Sequence, residues 1–315
     1  MPELPEVEVL ARHLAPLLPG KRIREVDVLR AKVVRPDSAA DFRHQLLGAT
    51  FTGLSRRGKY FLFELRRPKT REPFVLLGHL GMTGKIYLTG KKEPLPKHAA
   101  VVLDLGSANF VYEDTRYFGR MTFDLSSIEA LGPEPLSDAF EPKSFGEALR
   151  RSGQAVKVKL LDQSLVAGVG NIYASEALFR ARISPLQAAN TLTTAQVKKL
   201  WHAIREVLAE AIKCGSTVPL NFTGSLSDGL FYFGLAEGVE DYYEERLRVY
   251  DRFGQPCSNC GRPIKRIVQA ARSTFFLSAL SEEMIELAAW RNFKNAPLLT
   301  GDVWGSVAVR LSCRA

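Results

Sequence analysis

The chain begins MPELPEVEVL, which combines a proline with carboxylates at the start of a predicted helix. Removal of Met1 would expose Pro2 as a secondary amine. Because α-amino groups have a pKa of about 8, a fraction is unprotonated at neutral pH and can attack an electrophilic carbon. Glu3 and Glu6 would lie beside this amine, where a helix N-terminus stabilises negative charge. The stretch predicts a nucleophile with acid–base neighbours, and ordinary helix capping is the alternative.

A second candidate site is the Cys-x-x-Cys pair of Cys257 and Cys260. In zinc hairpins such a pair is followed about 15–20 residues later by a second pair, because tetrahedral Zn²⁺ takes four ligands. Leu277 and Leu280 stand at that spacing instead. No neighbouring histidine or acid is a good replacement for the missing thiolates. We therefore expect the pair to be the remnant of an incomplete metal site, and the chain as written to hold no stoichiometric zinc.

Composition narrows the function classes. Of 315 residues, 46% are hydrophobic and 24% are charged, and no apolar run reaches the ~18 residues of a membrane span. The acidic N-terminus is not typical of a signal peptide, and four cysteines suggest no disulfide framework, which favours a reducing cytosol. The net charge of +9 favours polyanion binding, with a plain basic surface as the alternative. The excess lies in residues 1–276, since after them Arg291, Lys294, Arg310 and Arg314 balance Glu282, Glu283, Glu286 and Asp302.

The elements that would position these residues change character along the chain. A helix is predicted over Pro5–Leu18. Short segments rich in β-branched and aromatic residues then predict an antiparallel sandwich up to about residue 130. These segments are KRIREVDVL, KYFLFELR, FVLLGHLGM, GKIYLTG, AAVVLDL, NFVYED and RMTFDL. After a proline-rich hinge, Leu131–Pro142, the period becomes helical, and the clearest helix runs from a capping box of Thr193 and Gln196 to Gly215.

Several motifs occur in a fixed order along the chain: MPELPEVE, RRGKY, GHLGMTG, DTRYFGR, LLDQSLVAGVGNIYASEALF and RLRVYDRFGQPC. Together they make residues 1–276 resemble the formamidopyrimidine-DNA glycosylase family. The resemblance implies an α+β fold: an N-terminal antiparallel β-sandwich with a leading helix (1–135), a helix-two-turn-helix domain (136–248) and a C-terminal β-hairpin zinc finger (249–276), here degenerate. Residues 277–315 would be an atypical tail. Zinc is the metal that the family leads us to expect.

The resemblance also implies a reaction. The family removes 8-oxoguanine and formamidopyrimidines from duplex DNA and then cleaves the strand at the abasic site. Pro2 would attack the sugar C1′ and form a Schiff base, whose permanent charge promotes β- and then δ-elimination. Glu3 would be the acid–base group, Glu6 a supporting carboxylate, and Lys59 would bind a flanking phosphate and assist elimination. Read without the resemblance, Lys59 is an ordinary turn lysine.

Further residues match DNA contacts of the family. An extruded base leaves a gap whose lost stacking costs a few kcal/mol unless side chains fill it. The gap-filling residues would be Met82, Arg116 and Phe118, although Met82 and Phe118 taken alone would be read as core residues. The residues matching phosphate contacts are Lys157, Asn171 and Arg272. The expected partner is duplex DNA with oxidised bases or abasic sites. We expect the protein to be a monomer of bacterial type that works in the cytoplasm, at the nucleoid, and does not bind a membrane.

Two alternatives for the function stay open. An endonuclease VIII-like glycosylase would prefer oxidised pyrimidines, but PELPEVE, with Leu4, resembles the purine-lesion branch. A non-catalytic DNA-damage binding protein would suit the incomplete finger, but Pro2, Glu3 and Lys59 are all present.

Residues 215–249 are longer than the family stretch that closes over the flipped base, and would form a mobile lid or packed structure. Lesion preference is therefore open.

Residues 277–315 have two interpretations. In one, the chain is read out of frame from Leu277 onward, because two Leu-Ser pairs stand where cysteines are expected and a reading frame advanced by one base turns each into cysteine. The other is an evolved C-terminal helix in SEEMIELAAWRNF, with Ser281 as its cap. We favour the frameshift, since it explains both missing ligands and the neutral tail together.

Overall fold

The computed structural model describes residues 2–214 and 247–278. Its first part contains the strands β1 (Glu25–Val28), β2 (Thr50–Arg57), β3 (Tyr60–Arg66), β4 (Pro73–His79), β5 (Gly84–Gly90), β6 (Ala99–Asp104), β7 (Ala108–Asp114) and β8 (Arg120–Thr122). They form two four-stranded sheets with the orders β1-β6-β7-β5 and β2-β3-β4-β8. All pairings are antiparallel. The predicted antiparallel sandwich is confirmed.

Aromatic side chains from both sheets fill the space between them. Phe51 and Phe63 of one sheet contact Phe110 of the other, with ring centroids 6.1 Å and 5.4 Å apart. In β3 the residues alternate between buried and more exposed positions, as a strand with one buried face requires. Strand β2 was not predicted, because a register shift beside Gly53 and a polar second half interrupt this alternation.

Helix α1 (Leu4–Leu14) lies between the sandwich and the helical part of the protein. It begins with a capping box in which Glu3 is the N-cap and Glu6 the third helical residue. The helix ends at Leu14, before the predicted end at Leu18, and Leu18 is buried in the sandwich core. A helix that contacts two bodies is buried on more than one side, and in its first turn Leu4, Pro5, Glu6 and Val7 are all buried.

The helical part is built from α3 (Ser126–Glu129), α4 (Pro142–Arg150), α5 (Val156–Leu160), α6 (Asn171–Ala181) and α7 (Thr194–Lys213), after α2 (Ala39–Leu46) in the first part. The predicted capping box of α7 is confirmed: the Thr193 N–H donates to the Gln196 side chain at 2.9 Å, and the Gln196 N–H donates to Thr193 Oγ1 at 3.2 Å. The predicted stop at Gly215 lies outside the described residues. Among the described helices, none is long and apolar enough to cross a bilayer.

A C-terminal hairpin of β9 (Lys265–Gln269) and β10 (Arg272–Phe276) packs on α6. The contact has an apolar part, in which Val249, Ile264 and Phe275 form a small buried cluster. Because α6 also belongs to the core of the helical part, this cluster fixes the hairpin to the rest of the protein.

A buried carboxylate provides the polar part of the same contact. Glu176 of α6 accepts hydrogen bonds from the backbone N–H groups of Arg248, Val249 and Tyr250, at 2.9, 2.9 and 2.8 Å. The Val249 N–H is buried, and leaving it without an acceptor would cost roughly 1–3 kcal/mol. Glu176 therefore fixes the chain segment that leads into the hairpin.

Candidate active site and DNA-binding surface

The N-terminus of the chain is seated against the N-terminus of α6. The fully buried Glu3 carboxylate accepts hydrogen bonds from the backbone N–H groups of Ile172 and Tyr173, at 2.9 and 3.3 Å. Gly170 makes this approach available, since a Cβ there would lie 2.3 Å from the Glu3 carboxyl carbon. Pro2 is buried beside it in the chain. The position combines two donors with the positive end of a helix, which suits a carboxylate.

Glu6 supports the same arrangement from one turn further along α1. Its carboxylate accepts the Glu3 N–H at 2.7 Å and the Tyr173 hydroxyl at 2.6 Å. Tyr173 was not predicted as a site residue, because a tyrosine on an apolar helix face reads as core. The pair of contacts fixes the backbone on which Pro2 and Glu3 are carried.

Lys59 approaches this carboxylate cluster from the β2–β3 turn. Gly58, which precedes it, has a φ of 57°, and a Cβ there would be 3.2 Å from Leu131, so the turn needs glycine. Burial lowers the pKa of the Lys59 amine and raises the pKa of the Glu3 carboxyl, while the attraction between the two charges opposes both shifts. The structure thus brings Lys59 and Glu3 into one buried electrostatic unit.

An ion-pair network fixes that turn, and no pattern along the chain predicted it. Glu134, in the hinge, accepts the Gly58 N–H at 2.6 Å and pairs with Arg56 at 2.8 Å and Arg57 at 2.9 Å. Arg56 also pairs with Glu8 of α1 at 2.6 Å. One carboxylate of the hinge therefore ties the lysine turn to the helix that carries the N-terminus.

Three further cationic or amide side chains converge beside this cluster. The buried Lys157 amine hydrogen-bonds to the Asn171 side-chain oxygen, and the Asn171 amide donates to the Ser273 carbonyl of the hairpin at 2.9 Å. Burial lowers the pKa of Lys157 to about 8, and the positive charge of Arg272 acts in the same direction. Arg272, at the tip of the hairpin, is exposed. These residues suit an anion that would neutralise them.

Two adjoining loops carry the exposed residues of the predicted gap-filling set. Met82 and Phe118 are 43% and 49% exposed, so the reading of them as core residues is wrong. Arg116 is exposed as well, and its guanidinium lies 4.8 Å from the centre of the Phe118 ring. The loops touch at Gly81, where a Cβ would be 2.5 Å from the Gly119 nitrogen. Large apolar side chains held in water this way indicate a contact surface.

A buried aspartate shapes the second of these loops. Asp114 accepts the backbone N–H groups of Arg116 and Gly119, at 3.1 and 2.9 Å, and the Thr83 hydroxyl at 2.6 Å. It thereby holds both loops through one carboxylate. Sequence reasoning missed it, since an acid before a turn is read as an ordinary turn residue.

Comparison with known proteins agrees with this architecture. The formamidopyrimidine-DNA glycosylase N-terminal domain matches residues 1–121, the H2TH domain of the same enzyme matches residues 131–221, and a zinc finger found in FPG and IleRS matches residues 254–276. The chain belongs to the formamidopyrimidine-DNA glycosylase family. The formamidopyrimidine-DNA glycosylase of Symbiobacterium thermophilum is 41% identical over 287 residues, which covers 88% of each chain.

Solved structures of the family from Lactococcus lactis are similar as well. FPG (MutM) in complex with a Fapy-dG containing DNA has a TM-score of 0.75 and 33% identity, covering 87% of this chain and 97% of that one. Wild-type FPG (MutM) in complex with an oxidised-pyrimidine containing DNA has a TM-score of 0.76 and 34% identity, with the same coverage.

The cysteines of this glycosylase-family chain lie at the opposite end of the hairpin from Arg272. Cys257 is buried and Cys260 half-buried in the turn before β9. In the part of the chain that the structure describes, no group of three or more histidine, cysteine, aspartate or glutamate side chains could hold a metal ion. Tetrahedral zinc takes four ligands, and these two thiols supply only half of them.

We expect Glu134→Gln to lower the free energy of unfolding by roughly 2 kcal/mol, because it removes the charge that pairs with Arg56 and Arg57 in a partly buried place. Urea titration followed by fluorescence measures the change. Glu129→Gln, at an exposed position nearby, is the control and should leave stability unchanged. Equal stability of the two variants would contradict the role of Glu134.

Proposed function

We propose that this chain is a bifunctional DNA glycosylase and AP lyase that excises oxidised purines, 8-oxoguanine and formamidopyrimidines, from duplex DNA. The observation that carries the proposal is the buried Glu3 carboxylate next to Pro2, held at the N-terminus of α6 with Lys59 beside it. Membership of the glycosylase family and the Fapy-dG complex of a relative support the substrate class.

Pro2 is the proposed nucleophile, once Met1 has been removed. Its secondary amine attacks C1′ of the damaged nucleotide, the bond to the base breaks, and opening of the sugar ring leaves an iminium between Pro2 and C1′. The iminium withdraws electrons from C2′, which then loses a proton while the 3′ phosphate leaves by β-elimination. A second elimination releases the 5′ phosphate, so that both strand bonds are broken without any redox partner.

Glu3 is the proposed proton donor for opening of the sugar ring. Burial raises the pKa of its carboxyl, which keeps the acid form present at a higher pH than for an ordinary glutamate. The Ile172 and Tyr173 N–H groups then stabilise the carboxylate that remains after proton transfer. The same side chain can therefore give and take back a proton.

Lys59, Lys157, Asn171 and Arg272 are the proposed phosphate contacts. Burial already disfavours the charged form of Lys157, and a bound phosphate would restore it by supplying the missing counter-charge. The Asn171 contact with the hairpin links the two parts of the protein that would grip the backbone. The overall charge of +9 agrees with such a phosphate-binding face.

Met82, Arg116 and Phe118 are proposed to fill the gap left by the extruded nucleotide. Their exposure on two loops held by Asp114 supports this role, since an inserted side chain must be held ready before DNA binds. Phe118 can separate a base step, and Arg116 can hydrogen-bond to the base that has lost its partner.

Oxidised pyrimidines are a second candidate substrate class. The observation that favours them is the relative solved with an oxidised-pyrimidine containing DNA, which is 34% identical to this chain. Competition between duplexes that carry 8-oxoguanine and an oxidised pyrimidine would rank the two. Residues 215–246, which a lid over the base would include, lie outside the described residues.

We expect borohydride to trap the protein covalently on an 8-oxoguanine or abasic duplex through Pro2, and Pro2→Gly to reduce the trapped product by roughly 100-fold. Mass spectrometry of the trapped peptide should find the adduct on Pro2, in a chain from which Met1 has been removed. Pro94→Gly, in an exposed loop, is the matched control and should trap normally. Trapping by Pro2→Gly at the control level would remove Pro2 as the nucleophile, and a wild-type chain that binds but never traps would indicate a passive binding protein.

Glu3→Gln should abolish base excision while sparing abasic-site binding, because it removes the proton donor and no phosphate contact. In the wild type, excision should fall as pH rises through the raised pKa of Glu3, because the acid form is lost, and should also fall at low pH, where the Pro2 amine is protonated. Single-turnover excision rates across pH measure this. Glu25→Gln, exposed on β1, should keep the wild-type profile. A rate that rises steadily with pH would contradict Glu3 as the acid.

Arg272→Gln should weaken binding to damaged and undamaged duplexes alike and should lower the slope of log affinity against log salt by about one. Fluorescence anisotropy at several salt concentrations measures both. Lys92→Gln, in an exposed turn, serves as the control for loss of one charge. A loss of affinity with Arg272→Gln that is confined to damaged DNA would rule out a phosphate contact.

Met82→Ala should instead impair binding to the lesion more than nonspecific binding.

A further inference from the structure

The turn that carries the two cysteines is already folded like one half of a metal site. The Cys257 N–H donates to the Arg262 carbonyl at 2.8 Å, and the Gly261 N–H donates back to the Cys257 carbonyl at 2.8 Å. The Asn259 N–H lies 3.4 Å from Cys257 Sγ. An N–H group aimed at sulfur stabilises a thiolate, which is the form that binds metal. Two thiols alone, however, leave half of a tetrahedron without ligands.

The chain returns to this turn where the missing ligands would be needed. Strand β10 ends at Phe276, which pairs with Lys265 at the start of β9, so the next residues must lie near the cysteine turn. The Arg262 guanidinium contacts the Ser278 carbonyl at 3.5 Å, which puts position 278 beside the turn. Leu277 and Ser278 are both half-buried there. Position 277 is thus placed for a metal ligand but carries an apolar side chain.

The similarity to known proteins stops at the same point. The zinc-finger match ends at residue 276. The Lactococcus lactis complex is covered over 97% of its own length but 87% of this chain, so the unmatched share is close to the 39 of 315 residues that follow the hairpin. The change from family sequence to unrelated sequence and the loss of both ligands therefore coincide at Leu277.

We propose that residues 277–315 are read in the wrong frame, and that the frame advanced by one base encodes the second cysteine pair. Suppose that the codons of Leu277 and Leu280 end in TG and that the codons of the serines after them begin with T. A frame advanced by one base then reads the last two bases of each leucine codon together with the first base of the serine codon. Both positions become TGT, which encodes cysteine. The serine and alanine between them can then read as proline and histidine, Ser281 as glutamine, and Glu282 and Glu283 as lysine or arginine. Met284-Ile285 is ATG-ATH for every isoleucine codon, and the shifted frame reads TGA there, which is a stop.

The shifted product would end at position 283 with the ligand spacing C-x2-C-x16-C-x2-C. That spacing lies within the range of zinc ribbons, about 15–20 residues between the pairs. The stop codon appears for every choice of isoleucine codon, whereas the cysteines appear only with particular leucine and serine codons. The inference therefore predicts which codons the gene contains at these positions. An evolved helix over SEEMIELAAWRNF predicts no particular codons there.

The gene sequence is the first test. Leucine codons that end in TG at 277 and 280, followed by TCN serine codons, are expected. A leucine codon with another ending, or an AGY serine codon, at either place would overturn the inference. Resequencing from the source should also reveal one missing or extra base near the Phe276 codon, and an unaltered frame through Ala315 there would equally overturn it.

Zinc content is the second test, and it does not depend on excision activity. The frame-restored protein carries Leu277→Cys, Ser278→Pro, Ala279→His, Leu280→Cys, Ser281→Gln, Glu282→Lys and Glu283→Lys and ends at position 283. It should hold about one zinc per chain after dialysis, by elemental analysis. The full 315-residue chain should hold less than about a tenth of that. Chelator should lower the melting temperature of the restored protein only.

Two controls separate ligand gain from loss of the tail. A chain ended at position 283 with Leu277 and Leu280 retained should stay free of zinc, and Cys257→Ser in the restored protein should release it. A full-length chain that holds one zinc per molecule would overturn the inference, as would a restored protein that is folded by circular dichroism but holds none. Either result leaves the proposed glycosylase function, which is tested by trapping at Pro2, unaffected.

Discussion

The rest of the site depends on the burial of the Glu3 carboxylate at the N-terminus of α6. A buried carboxylate is costly unless donors replace its lost water, and here two backbone N–H groups at a helix N-terminus do so. The contact joins Glu3, near the N-terminus of the chain, to the helical part. It therefore fixes the position of Pro2 and the relative placement of the sandwich and the helices at the same time.

Most of the surrounding features can be understood as support for that contact. Gly170 leaves the space that the carboxylate occupies, Glu6 holds the Glu3 backbone, and the Tyr173 hydroxyl holds Glu6. Lys59 reaches the carboxylate from a turn fixed by Glu134. Burial raises the pKa of the Glu3 carboxyl and lowers the pKa of the Lys59 amine, so it favours the uncharged form of both groups. Such groups suit proton transfer at neutral pH better than a fully exposed ion pair would.

The hairpin adds the positive charge of Arg272 to this centre, and its attachment does not rely on the cysteines. An apolar cluster with Phe275 and the Glu176 carboxylate fasten it to α6. Arg272 lies at the tip, near Lys157 and Lys59, while Cys257 lies at the other end. This separation explains how a chain with half of a metal site can keep Arg272 close to the two lysines. The missing ligands bear on the stability of the far end of the hairpin.

The sequence by itself determined what depends on local order. Alternation along the strands predicted the sandwich, the capping box of Thr193 and Gln196 predicted α7, and the spacing after Cys260 revealed the missing ligands. Motif order suggested the family. Only the tertiary structure decided what depends on contacts between distant residues: Glu3 and Ile172 are 169 positions apart, and no pattern along the chain links Glu134 to the lysine turn. The exposure of Phe118 was likewise a tertiary result, because an apolar side chain reads as core until the backbone shows that nothing covers it.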